Sequence, residues 1–294
     1  MTSIDAPVTE HSTLSRDGTR VAWYRVGTGP RRWLIPPAMG APVLSLKHIL
    51  ERFQHDYTMV TWDMRGFYGS GAPTNDDALR VDDHVADMEA VRTAAGFESF
   101  VVGGWSMGVQ LSLEYYARAP ERVRALVLIN GPYGNPLRTA LPIPNSESVG
   151  TSLALLGQRL GPWVNRASRA LLTRPGMSSF ALGTGLLAKN SPLFVQLMAE
   201  FSRIDWARYF RLITLLNEHS AEHVLPTIRV PTMITAGTHD RMTPPALAEH
   251  MRAVVPGAEL FVIPRGTHYA PVEFPDMLND AIARFLARAD SHST

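Results

Sequence analysis

The chain has 294 residues, a formal net charge of +1, and 45% hydrophobic against 19% charged residues. Such a balance buries a sizeable core and excludes general disorder, and the near-zero charge gives no electrostatic footprint for nucleic acid or an anionic membrane. There is no cysteine, which excludes disulfides, thiolate nucleophiles and cysteine-bound zinc.

The length suits one large domain, or one domain carrying an insertion. Met1 to Glu10 lack a basic region followed by an apolar run, so no signal peptide is expected there. No stretch approaches the roughly 20 apolar residues of a spanning helix. A soluble, cytoplasmic protein with no membrane insertion is the expectation. Thr13–Arg16 and Arg20–Val26 flank Asp17-Gly18, a tight-turn dipeptide, and predict a hairpin. Short apolar strands at Trp33–Ile35, Tyr57–Trp62, Phe100–Gly103 and Ala125–Ile129 then alternate with helical stretches at Leu44–Phe53, Val81–Ala95 and Met107–Ala119. Near-continuous apolar strands separated by helices predict a parallel sheet covered on both faces, an α/β fold.

From Asn135 to His219 the rhythm changes to helices alone: Ser152–Leu160, Trp163–Leu172, Phe180–Leu187, Pro192–Phe201 and Trp206–Asn217, with a break at Pro175-Gly176. Alternation resumes with Val230–Ala236, Pro244–Val255, Leu260–Ile263 and Met277–Ala289. The predicted organisation is a core domain of residues 1–134 and 220–294 interrupted by a helical insertion of residues 135–219.

Gly104-Trp105-Ser106-Met107-Gly108 lies between a predicted strand and a predicted helix, the context in which G-x-S-x-G has meaning. Glycine two residues before and after the serine lets strand and helix backbones approach. A serine hydroxyl needs a base to become a nucleophile, and His268, on the loop after the last strand, is the candidate. A carboxylate must then fix the imidazole. Asp240 follows the preceding strand at the carboxyl edge, where open parallel sheets place their sites. The place after Ile129 offers only Asn130 and Gly131. His11, His48, His55, His84, His250 and His292 read as solvated surface residues.

The serine–acid–histidine order, with Asp63-Met64-Arg65-Gly66-Phe67-Tyr68-Gly69-Ser70 and the Gly266-Thr267-His268 … Glu273-Phe274-Pro275 segment, resembles the α/β-hydrolase superfamily over nearly the whole chain. The resemblance implies an α/β-hydrolase fold in which the insertion is a helical cap over the pocket. It also implies an oxyanion hole. Pro36-Pro37-Ala38-Met39-Gly40 stands where the family carries His-Gly, and proline has no N–H. Ala38 or Met39, together with Met107, are therefore the expected donors. The Phe67-Tyr68 loop has one residue more than the family pattern, which packing explains.

The expected chemistry is serine-dependent hydrolysis of a carboxylic ester, lactone or thioester of a hydrophobic small molecule. Trp105, Tyr269 and Met39 are expected to line the acyl pocket, and no metal or organic cofactor is expected. Carbon–carbon bond hydrolysis or peracid formation would use the same three residues. A ligand-binding receptor keeping the fold is the reading from another class. His219-Ser220-Ala221-Glu222-His223 fits a zinc-peptidase pattern, but its histidines also suit the end of a helix. Asp82-Asp83-His84 and Asp87 read as a solvated helix start.

Overall fold

The computed structural model describes residues 4–75, 77–139, 141, 143–174 and 176–291. Met1–Ser3, Pro175 and His292, on which parts of the reading above fall, lie outside them. The strands are β1 (Val8–Leu14), β2 (Arg20–Val26), β3 (Arg31–Leu34), β4 (Tyr57–Trp62), β5 (Phe100–Val102), β6 (Val123–Ile129), β7 (Thr232–Gly237) and β8 (Glu259–Ile263). They form one sheet in the order β1-β2-β4-β3-β5-β6-β7-β8. β2 pairs antiparallel with β1 and β4, and the remaining neighbours are parallel.

The helices are α1 (Lys47–Phe53), α2 (Val81–Ala95), α3 (Met107–Arg118), α4 (Ser146–Arg159), α5 (Gly161–Leu171) and α6 (Met177–Gly183). They continue as α7 (Pro192–Phe201), α8 (Trp206–Asn217), α9 (Pro245–Val254), α10 (Ala270–Glu273) and α11 (Pro275–Ser291). Alternation along each central strand divides the core into two layers. Leu126 and Leu128 of β6 join α2, α3 and α9 on one face. Ala125, Val127 and Ile129 join α1 and α11 on the other. Both faces are covered, which is why these strands read as unbroken apolar runs.

The predicted hairpin forms, but β1 runs from Val8 to Leu14, and Ser15 and Arg16 belong to the turn. There Ser15 N–H donates to Thr19 O, Thr19 N–H donates to the Asp17 carboxylate, and Gly18 takes a φ of 81°. The reading of Asp87 and His84 as solvated is wrong. Both are fully buried, because Arg65 from the loop after β4 reaches under α2. Arg65 donates to both Asp87 oxygens, at 2.8 and 2.5 Å, and to Asp17 at 2.8 Å. Burial pushes the His84 imidazole down to about 3, so it stays neutral.

Between β6 and β7 the described residues form α4 to α8 and no strand. A bridge between Gly134 and Ser220, with Asn135 N–H donating to His219 O, draws the two ends of this segment together. α4 begins six residues before the predicted Ser152. Its inner face is Gly150, Ala154 and Gly157, set against Leu137 and Phe210. A packing stripe of such small residues has no hydrophobic periodicity to read.

Candidate active site

Ser106 stands between β5 and α3 with φ 59° and ψ −120°, a strained conformation for a residue with a side chain. Its N–H donates to Ile129 O at 2.9 Å, which pins the turn to β6. The flanking glycines are needed for a more specific reason than strand–helix approach alone. A Cβ at Gly104 would stand 2.3 Å from Pro36 O and 3.3 Å from Gly108 Cα, and one at Gly108 would stand 2.6 Å from Pro36 O. The loop after β3 therefore wedges against both sides of the turn.

Three loops at the carboxyl edge of the sheet converge on this hydroxyl. His268 Nε2 lies 2.9 Å from Ser106 Oγ, and His268 Nδ1 lies 3.0 Å from Asp240 Oδ2. The triple that the spacing pointed to, 162 and 28 residues apart in sequence, is thus one hydrogen-bonded chain. His268 and Asp240 are buried. Asp240 Oδ1 accepts from the N–H groups of Met242 (2.9 Å) and Thr243 (2.7 Å), and Thr243 Oγ1–H donates to Oδ2 at 2.7 Å. These donors fix the plane of the carboxylate toward the imidazole.

The imidazole is braced from behind. Its backbone carbonyl accepts from Trp105 Nε1 at 2.9 Å, and the indole and imidazole rings lie 5.6 Å apart. Buried Glu273 accepts from the Thr267 N–H and hydroxyl, and with its other oxygen from Ala188 N–H in the segment after α6. Asn130 Nδ2 donates to Thr267 O, and its own amide oxygen accepts from Thr235 Oγ1.

Asn130 and Thr243 are contacts that sequence reading missed. For Thr243 a signal existed: an aspartate followed three residues later by threonine is the spacing of a side-chain-closed turn. Asn130 carried no comparable signal. It shows only as a left-handed residue, φ 40°, in the folded chain.

The N–H groups of Ala38, Met39 and Met107 donate to no acceptor among the described residues. Ala38, Met39, Trp105 and Tyr269 border a cavity of about 60 Å³ at Ser106, closed on the far side by Phe201 of α7 and Tyr209 of α8. Burial pushes the Tyr269 phenol up to about 12, so it stays neutral. A second cavity of about 340 Å³ reaches His268 from outside, along Phe180, Leu186 and Arg241. Met242 and His268 border both cavities. A larger cavity of about 470 Å³, with Tyr24, Asp63, Tyr68 and Arg203 in its wall, shares no residue with either. Tyr68, of the lengthened loop, donates its hydroxyl to Gly40 O at 2.8 Å, tying that loop to the segment bearing Ala38 and Met39.

The zinc-like pattern disperses. His219 is held by Gln110 at 2.8 Å and Glu114 at 3.1 Å, while Glu222 pairs with His250 at 3.0 Å. The His219 hydrogen bond holds the Glu114 carboxyl down to about 2. Among the described residues no three histidine or acidic side chains group as metal ligands.

Residues 42–275 match the family model of the alpha/beta hydrolase fold. The chain belongs to the α/β-hydrolase fold family. It is 24% identical over 274 residues to serine hydrolase BPHL of Mus musculus, covering 92% of this chain and 84% of that one. It is also 24% identical over 275 residues to N-formylmaleamate deformylase of Pseudomonas putida, covering 93% and 95%. Among solved structures, an esterase of Exiguobacterium antarcticum superposes with a TM-score of 0.78 at 19% identity, over 95% of this chain and all of the other. At that identity the likeness is one of fold.

Proposed function

We propose that the protein is a serine hydrolase that cleaves a carboxylic ester, or a lactone or thioester, through an acyl-enzyme. The observation that carries the reading is the continuous path from Ser106 Oγ through the His268 ring to Asp240, with links of 2.9 and 3.0 Å. With Asp240 accepting from Nδ1–H, His268 keeps the Nε2 lone pair toward the serine. Ser106 Oγ attacks the carbonyl carbon as its proton passes to Nε2. The carbonyl oxygen gains the negative charge beside the N–H groups of Met107 and Ala38 or Met39. Each such donor contributes about 2.7–4 kcal/mol to the transition state.

The C–O bond to the leaving alcohol then breaks as Nε2–H protonates it, leaving Ser106 acylated. Water repeats the sequence, its proton going to Nε2 and back to Ser106 Oγ, and releases the acid. The α4–α8 segment acts as a cap, with Phe201 and Tyr209 closing the acyl side against Trp105 and Tyr269. A cavity of about 60 Å³ favours a short acyl group, and the larger outer cavity takes the rest of the molecule.

The test is hydrolysis of p-nitrophenyl esters of graded acyl length, alongside labelling by a fluorophosphonate. The wild type is expected to label and to prefer acetate or butyrate over decanoate. Ser106→Ala should abolish labelling and lower kcat by about 10⁴-fold or more. Labelling that persists in Ser106→Ala removes the serine from its role. A labelled protein that turns over no ester points to a binding protein keeping the fold.

A further inference from the structure

Between Glu147 and Glu200 the sequence contains no acidic residue, while it contains Arg159, Arg166, Arg169, Arg174 and Lys189. The chain-wide charge of +1 averages this run away. None of these five cations has an ion-pair partner among the described residues, although the Arg166 guanidinium lies over the Trp163 ring.

The same stretch carries an inverted helix. The buried face of α4 is made of Gly150, Ala154 and Gly157, and its large apolar side chains point outward. Val149, Leu153, Leu156 and Leu160 recur at spacings of four, three and four residues, one stripe along the helix. Trp163 follows on the first turn of α5. Leu153 is 54%, Leu156 51% and Trp163 68% exposed. The fold leaves these residues largely exposed, and a row of exposed leucine ending in tryptophan marks an interaction surface.

We propose that the outer face of α4 and α5 docks on an anionic lipid surface. Leu153, Leu156, Leu160 and Trp163 enter the headgroup boundary, and Arg159, Arg166 and Arg169 pair with lipid phosphates. Leucine and tryptophan beside arginine, with no acid in between, is the composition of an interfacial helix. The charge argues against a second copy of the chain as occupant. A two-fold contact places the same patch on both sides, setting arginine against arginine with no carboxylate to relieve them. This docking lies in the plane of the lipid surface, since no helix among the described residues is long and apolar enough to cross a membrane.

The experiment is co-sedimentation of the full chain with phosphatidylcholine vesicles, with and without phosphatidylglycerol. Binding is expected only with the anionic lipid, falling as salt is raised, with a blue shift of tryptophan emission that Trp163→Phe removes. The triple substitution R159Q/R166Q/R169Q is expected to weaken binding about a hundredfold. It should leave hydrolysis of soluble p-nitrophenyl acetate unchanged, so the outcome is separable from that of the proposed reaction. Absence of binding, equal binding to neutral vesicles, or binding that survives the triple substitution would overturn the proposal. So would a concentration-dependent dimer in sedimentation velocity that the same substitution disperses.

Discussion

Ser106 at φ 59° and Asn130 at φ 40° sit on adjacent loops in conformations that residues with side chains avoid. Each is held there by hydrogen bonds to a neighbouring strand: Ser106 N–H to Ile129 O, and Asn130 N–H to Thr235 O. Strain so held fixes the direction of the candidate nucleophile's hydroxyl. At the same scale, Thr243 acts by positioning Asp240 and the imidazole, its Oγ1 lying 2.7 Å from Asp240 Oδ2 and 3.2 Å from His268 Nδ1. Replacing it by valine deletes one of the donors that hold the carboxylate. Thr243→Val is expected to lower kcat about tenfold with KM little changed, and Thr243→Ser to recover most of the loss, measured with p-nitrophenyl acetate. A role in packing alone would show the reverse, rescue by valine and none by serine. By contrast Asp240→Asn, which favours the wrong imidazole tautomer, should cost about 10⁴-fold in kcat.

At the scale of elements, the turn between β5 and α3 works because the loop after β3 closes on it. The Pro36 carbonyl stands where a Cβ of either Gly104 or Gly108 would be, and backbone cannot yield as a flexible side chain can. Gly104→Ala is therefore expected to lower thermal stability by several degrees and to depress kcat together with it, as calorimetry and ester hydrolysis would show. α4 illustrates the opposite relation between residue and element. Its glycines and alanine face inward so that the helix can lie close to Phe210, and its leucines are left outside. Periodicity of large apolar residues, a sound guide where they form the core, here points to the surface.

At the scale of the molecule, Arg65 joins three parts distant in sequence. It bonds Asp87 on α2, Asp17 and Ser15 in the first hairpin, and the Ala78 carbonyl before α2. The guanidinium and the Asp87 carboxylate are both fully buried. Breaking such a pair on one side leaves an uncompensated buried charge, so Arg65→Met should destabilise the protein by about 3–5 kcal/mol in urea unfolding. The double substitution Arg65→Met with Asp87→Leu, which removes both charges, should recover much of that loss. If the single substitution cost under about 1 kcal/mol, the network would not be holding the hairpin to the helix.

Much of the fold was legible before the chain was seen folded. The order and approximate extent of the central strands follow from short apolar runs alternating with helical stretches. The candidate serine follows from its glycines, and the candidate base and acid follow from their places after successive strands. These features are local, or depend only on sequence order, so a linear chain expresses them. What only the tertiary structure decided is of another kind: the approach of Pro36 to both glycines, the support of Asp240 by Thr243 and of the histidine loop by Asn130 and Glu273, and the burial of Asp87 and His84. In the sequence those last two read as solvated, because a charged helix start looks alike wherever it lies. Which carboxylate is buried depends on an arginine 22 residues away arriving from another loop. The sequence by itself determined the elements and the candidate residues at their ends, because propensity, polarity and order belong to the chain. Distance and burial belong to the packed molecule, where the neighbours that decide them are remote in sequence.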